Sequence, residues 1–295
     1  MVMIFGKPLL LLYGQLTLGL INGAFYALLS LGLAVIFGLL NVINFAHGAL
    51  FMLGAFVTWG LLTYLGIGYW AALIIAPIVV GALGVALEKL LIARLHGLDH
   101  LYGLLLTFGC ALVIEGLMRN QFGSSGVPYA IPHALQGPLN LGFMVLPLYR
   151  AWVVIAAAAM CLVTWLLIEK TRLGATLRAA TENAPLVQAF GVNVPRLVTL
   201  TYGAGVGLAA FAGVLAAPMN SVNPNMGSNL IVVVFATVVI GGLGSILGSI
   251  ITGFSLGIIE GLTKVYYPEG SATVVFVVMV IVLLIRPAGL FGKAA

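Results

Sequence analysis

Between Lys7 and Glu88 the chain carries no Asp, Glu, Lys or Arg, and a second uncharged stretch lies between Arg196 and Glu260. A water-soluble domain needs charge on its surface to stay solvated. Lipid imposes the opposite condition, since a charged side chain at the bilayer centre costs roughly 2.5–3.5 kcal/mol. The pattern therefore predicts helices that cross a membrane. At about 20 residues per span, the apolar runs fall at 10–40, 47–64, 70–87, 101–118, 152–168, 197–217, 230–246, 248–264 and 272–286. The expected fold is all-α, a polytopic integral membrane protein of eight or nine transmembrane helices. The first run suits one steep, tilted or broken helix, which leaves the helix count and the side of the N-terminus open. That run is too long for the core of a signal peptide and reads as a retained helix. No soluble linker and no convincing internal repeat interrupts residues 1–295, so they are read as a single transmembrane domain.

The segments between the runs set the orientation. Lys89 and Arg94 lie in 88–100, Lys170, Arg172, Arg178 and Arg196 in 169–196, and Arg286 and Lys293 in the tail. No charge lies between Arg119 and Arg150, or in 218–229. Alternation through the helices at 101–118 and 152–168 puts 88–100 and 169–196 on one side, and the basic bias makes that side the cytoplasm. Segment 120–149, with Gly123, Gly126, Pro128, Pro132, Pro138 and Pro147, becomes a structured external loop. Segment 218–229 faces the same way, and its four asparagines suit turns.

Composition agrees. Apolar residues make up 62% of the 295 positions and charged residues 6%, with mean hydropathy +1.22, which leaves no room for a soluble domain. The net charge of +5 sits in loops, so it speaks to topology and not to nucleic acid. Cys110 and Cys161 both lie inside apolar runs, so neither a disulfide framework nor a metal site is expected. The 38 glycines recur at small-xxx-small spacing, as in Gly19/Gly23, Gly244/Gly248 and Gly253/Gly257/Gly261. In lipid this spacing lets helix backbones approach closely. It serves tight static packing or helices that slide, and spacing alone does not separate the two.

Several chemistries are excluded. The Gly-Lys pairs at Gly6-Lys7 and Gly292-Lys293 lie at the ends of the sequence and fit no phosphate-binding P-loop. Gly203, Gly205 and Gly207 sit inside an apolar helix with no preceding strand, so they are no dinucleotide loop. No catalytic cluster stands out, and neither enzymatic activity nor a cofactor is expected. Asn22, Asn41, Asn44 and His47 stand out among the polar groups of the first uncharged stretch. With Gly38 and Gly48 they suggest local unwinding between the first two spans, tolerated in a membrane only where backbone lines a cavity or is buried in protein. Broken helices of this kind build substrate sites in transporters, so Asn22, Asn41, Asn44, His47 and Gly48 are candidate pathway residues. His47 is equally readable as a structural residue bonded to a nearby carbonyl. Glu260, one turn before Lys264, reads as a snorkelling pair or as a pathway carboxylate. Glu115 and Arg119 have the same spacing.

The charged island 169–196 is too short and too polar to span. Pro185 forbids one continuous helix, so two short pieces are expected to meet near Glu182-Asn183-Ala184-Pro185, with Gly191 as a stop. Arg178 and Glu182 are i,i+4 neighbours, and Leu177, Leu186, Val187 and Phe190 give the hairpin an apolar side. It reads as an amphipathic connector on the membrane surface, or as a knob that docks into a partner protein.

At these residues a resemblance emerges. The run Gly23–Gly38, the segment Asn41-Val-Ile-Asn44-Phe-Ala-His47-Gly48, and Met52-Leu-Gly54-Ala55 closely resemble the branched-chain amino acid ABC-transporter permeases of the LivH type. Further matches are Arg178-Ala-Ala-Thr-Glu182, Ala189-Phe190-Gly191-Val-Asn193, Ala209–Val214, Gly241–Ser245, Gly248 and Glu260. The likeness covers nearly the whole chain, with Glu182-Asn183-Ala184 in place of a literal Glu-Ala-Ala coupling triplet. It implies a multi-pass permease subunit of the inner membrane, working with a second related permease, two ATPase subunits and a periplasmic or extracellular substrate-binding protein. It also implies a coupling role for Arg178, Glu182, Leu186, Phe190 and Gly191. The function expected from it is import of leucine, isoleucine and valine driven by ATP hydrolysed in the partner subunits. A sister system for urea, short amides or other small polar solutes is the alternative. A stand-alone channel or secondary transporter fits less well, because no buried charge network for ion coupling is evident.

Overall fold

The computed structural model describes residues 3–4, 7–40, 44–95 and 98–292. Eleven α-helices lie among them. In order they are α1 (Leu9–Leu40), α2 (Ala46–Leu65), α3 (Tyr69–Leu90), α4 (His100–Phe122), α5 (Leu148–Lys170), α6 (Arg172–Glu182), α7 (Ala184–Ala189), α8 (Val194–Ala216), α9 (Ser228–Gly241), α10 (Ile246–Tyr266) and α11 (Val274–Ile285). Strands are confined to two small antiparallel pairs, β1 (Met3–Ile4) with β2 (Lys7–Pro8) and β3 (Pro138–Asn140) with β4 (Val145–Pro147). Hydrocarbon offers backbone groups no partner, so an uncharged run satisfies them by closing into a helix. Seven of the described helices are long and apolar enough to cross a membrane, and α9 and α11 are shorter apolar helices. The fold is thus the expected all-α polytopic one.

One point the sequence leaves open is answered, and two details differ from the expectation. The first span is one continuous helix of 32 residues, about 48 Å long at 1.5 Å per residue. Gly38 lies inside it, and Gly48 is helical within α2. The residues between the two helices include 41–43, which lie outside the described residues. Finally, α9 stops at Gly241, earlier than its apolar run suggests. Gly242 and Gly244 adopt φ of +101° and +80°, and the Ser245 hydroxyl caps α10 by accepting from Gly248 N. The last carbonyls of α9 do not stay open. Those of Ile240 and Gly241 accept from Leu290 N and Phe291 N of the C-terminal segment.

Two compact units divide the chain, with boundaries inside α1, α5 and α9. One comprises residues 1–30, 131–161 and 233–295. In it α1 and α10 pack backbone to backbone and antiparallel, Gly19 and Gly23 meeting Gly257 and Gly253. Gly261 lies against the Gln15 carbonyl. A Cβ at Gly23 would stand 3.0 Å from Phe254 Cα, and one at Gly257 would collide with Gly19. Beside this seam the Tyr26 hydroxyl donates to Glu260 Oε2 (2.7 Å), and Lys264 pairs with Oε1 (2.5 Å). Both oxygens of a mostly buried carboxylate are thereby satisfied. Ala236, Ile240, Leu256 and Val275 form the core of α9, α10 and α11.

The other unit comprises residues 31–130 and 162–232. Its centre is α8, a Gly/Ala-rich helix lying against α2 and α3. Gly213 meets the Phe51 carbonyl, Gly54 meets Ala210, and Gly203 and Gly81 face each other. Ile36, Leu50, Val80, Ile92, Tyr202 and Val206 fill the core between them. At one end an isolated bridge joins Val127 to Val222, and Arg119 donates to Asn225 Oδ1 at 2.7 Å. Tyr129 is buried there, and burial together with nearby Tyr69 pushes its phenol up to about 12. Elsewhere α3 and α4 expose Ile74, Ile78, Leu101, Leu105, Leu112 and Val113. In water such faces would aggregate, but in lipid they meet their own kind.

Candidate functional site

The connector into α2 is built on Asn44. Its Oδ1 accepts from Ala46 N (3.1 Å), an Asx-type turn that opens the helix, while its carbonyl accepts from His47 N (3.2 Å). Its Nδ2 donates to the Tyr202 hydroxyl of α8 at 2.9 Å. Phe45 N donates to Thr107 Oγ1 of α4 (3.2 Å), so a third helix holds the same turn. Asn44 is 1% exposed and His47 0%. The His47 ring lies against Gly32, where a Cβ would stand 3.0 Å from Cε1. Gly48 approaches the backbone of Gly227, with a Cβ position 2.7 Å from its oxygen. A cavity of about 10 Å³ adjoins the turn, lined by Ala46, Leu87, Ile92, Thr107, Cys110 and Tyr202 among others. It has room for one water.

The structure thus brings Asn44, His47 and Gly48 together. Asn22 is half-buried on α1 in the other compact unit, and Asn41 lies outside the described residues. The junction offers hydrogen-bonding groups without formal charge. Among the described residues no group of three or more His, Cys, Asp and Glu is placed to hold a metal. Sequence reasoning missed Thr107 and Tyr202, which complete this polar junction, and Thr199, which bonds Glu88 of α3. A hydroxyl on an otherwise apolar helix is the one available signal, and it is common in membrane helices.

The hairpin of α6 and α7 is set by three caps. Thr171 Oγ1 accepts from Gly174 N, Asn183 Oδ1 from Leu186 N (3.0 Å), and Asn193 Oδ1 from Arg196 N (3.0 Å), opening α6, α7 and α8 in turn. Gly174 is tightly placed, since any Cβ would collide with the Ile168 carbonyl and block the α5–α6 elbow. Gly191 closes the hairpin at φ +84°. Ala180, Val187 and Val194 form a small core backed by Leu197 and Val198, which seats the hairpin on the first turn of α8. Arg178, one turn before Glu182, donates to the Ile168 carbonyl (2.7 Å) and pairs with Glu169 at 3.5 Å. The free carbonyls ending α5 attract the guanidinium. On the outer side Leu186 is 53% exposed and Phe190 79%.

A family model for the permease component of branched-chain amino acid transport systems matches residues 15–284. The chain belongs to this permease family. The permease is 30% identical to LivH, the high-affinity branched-chain amino acid transport system permease protein of Escherichia coli K12, over 227 residues. That alignment covers 74% of the permease and 72% of LivH. With BraD, the corresponding protein of Pseudomonas aeruginosa, it shares 28% identity over 292 residues, 95% of each chain. It is 24% identical to LsrD, the autoinducer 2 import system permease protein of Salmonella choleraesuis, over 64% of the permease and 56% of LsrD. No solved structure matches it. Family and apolar helices together make the permease a multi-pass protein of the inner membrane.

Proposed function

We propose that this chain is one transmembrane subunit of an ATP-driven importer for leucine, isoleucine and valine. The family match over residues 15–284 carries this reading, and relatives named for branched-chain amino acid transport supply the substrate class. Residues 1–295 act as one permease domain, with 169–196 as its cytoplasmic coupling loop and 120–149 as its external loop. Energy comes from two partner ATPase subunits, a second related permease completes the channel, and an external binding protein delivers the substrate.

Within that assembly the outward Leu186 and Phe190, with Arg178, Glu182 and Gly191, form the knob that seats in an ATPase. Two large apolar side chains held out on a capped hairpin support this role, because exposed apolar side chains grouped in this way mark a contact surface. Asn22, Asn41, Asn44, His47 and Gly48 are assigned to the pathway. A zwitterion crossing a low-dielectric bundle needs replacement hydrogen bonds, and an uncharged lining lets it pass without being trapped. The experiment isolates the complex through a tag on this chain in its own host. Mass spectrometry should find two ATPase copies and a second permease, with ATP hydrolysis stimulated by leucine-loaded binding protein. A chain purified without any ATPase, yet transporting alone, would contradict the proposal.

A further inference from the structure

Two polar contacts leave the first turns of α8 for other helices. The Thr199 hydroxyl lies 2.5 Å from Glu88 Oε2 on α3 and also bonds the Pro195 carbonyl of its own helix at 3.0 Å. One turn further on, Tyr202 accepts from Asn44 at the entrance to α2. Glu88 is 1% exposed and Tyr202 equally buried. A carboxyl group in so dry a place is tolerable only while it is bonded, so this contact pins α3 to α8 at a fixed level. Apolar helix faces slide past one another, whereas a directional hydrogen bond between two helices resists sliding. The opposite end of the same stretch carries the hairpin. Val194, Leu197 and Val198 of α8 pack with Ala180 of α6 and Val187 of α7. From Val194 to Tyr202 is about 12 Å of stiff helix.

We propose that Thr199 and Tyr202 are positioning residues that carry a displacement of the α6–α7 hairpin, through Glu88 and Asn44, to α3 and to the start of α2. The proposal rests on the importer reading, in which an ATPase moves that hairpin. It gives the Asn44 turn a mechanical role: its fourfold tethering to α8, α4, Ala46 and His47 makes it follow α8 instead of yielding.

The test compares Thr199→Val, Thr199→Ser and Tyr202→Phe in the complex isolated from the native host and reconstituted in vesicles. The readout is leucine moved per ATP hydrolysed, at equal amounts of assembled complex. Wild-type complex showing no ATP-driven leucine uptake would overturn the importer reading itself, before any variant is compared. With wild type active, Thr199→Val and Tyr202→Phe should hydrolyse ATP yet move about tenfold less leucine per ATP, the scale of one lost hydrogen bond. Thr199→Ser, which keeps the hydroxyl, should restore the ratio. An unchanged ratio in both variants would overturn the proposal. So would loss of assembly in Thr199→Val beside a fully coupled Tyr202→Phe, since the bonds would then serve folding alone.

Discussion

A single missing methyl group decides much of the helix packing. Gly213 meets the Phe51 carbonyl, so Gly213→Ala must push α2 from α8, and overpacking of this kind costs roughly 1–3 kcal/mol. Gly116 on α4 has nothing within 4 Å of its Cβ position. There alanine should be neutral or stabilising by up to about 1 kcal/mol, through helix propensity alone. Melting temperatures in detergent check the contrast, and equal losses at the two sites would refute the packing account. Asn44→Ala leaves the Tyr202 hydroxyl and Ala46 N without their partner, a loss of about 1–3 kcal/mol. If Asn44 also lines the pathway, uptake per assembled complex should fall in addition. A lower melting temperature with normal uptake per complex would assign Asn44 to structure only. The segment Asn41–Gly48 was legible as special because polar side chains are rare in an uncharged run. Its partners were not, because Tyr202 stands 158 residues away from Asn44 and a tyrosine in an apolar helix gives no periodic signal.

Helices and breaks follow local rules, and these could be read. Pro185 splits the hairpin at the expected place, with α6 ending at Glu182 and α7 starting at Ala184, and Gly191 stops it in the left-handed region. The α5–α6 elbow escaped notice, because the demand on Gly174 comes from the Ile168 carbonyl packed against it. The early end of α9 escaped for a similar reason, since its carbonyls are answered by a segment some fifty residues later. Two substitutions test the hairpin as a knob. Gly191→Leu strains a φ of +84°, at roughly 1–2 kcal/mol, and Arg178→Glu replaces attraction to the α5 terminus with repulsion. Both should leave the subunit in the membrane, release the ATPase on purification and abolish uptake. Normal transport with the ATPase retained would reduce the hairpin to a surface connector.

At the scale of the molecule, the absence of charge over long stretches made the membrane fold readable, since it needs no knowledge of tertiary contacts. Orientation rests on the basic residues alone and has its own test. Ser125, Gln136, Thr181 and Gln188 are all exposed, so single cysteines there, with Cys110 and Cys161 replaced, report sidedness. The first two should react with an impermeant thiol reagent in intact cells, and the last two only after permeabilisation. The reverse pattern would invert the topology and remove the hairpin from the ATPases. The central claim is ATP-driven import of branched-chain amino acids, and uptake into vesicles holding the isolated complex and its binding protein tests it most directly. With ATP on the ATPase side, leucine should accumulate while urea and acetamide do not, and omitting ATP should abolish the signal. Accumulation of urea or acetamide without leucine, or leucine uptake indifferent to ATP, would contradict the account.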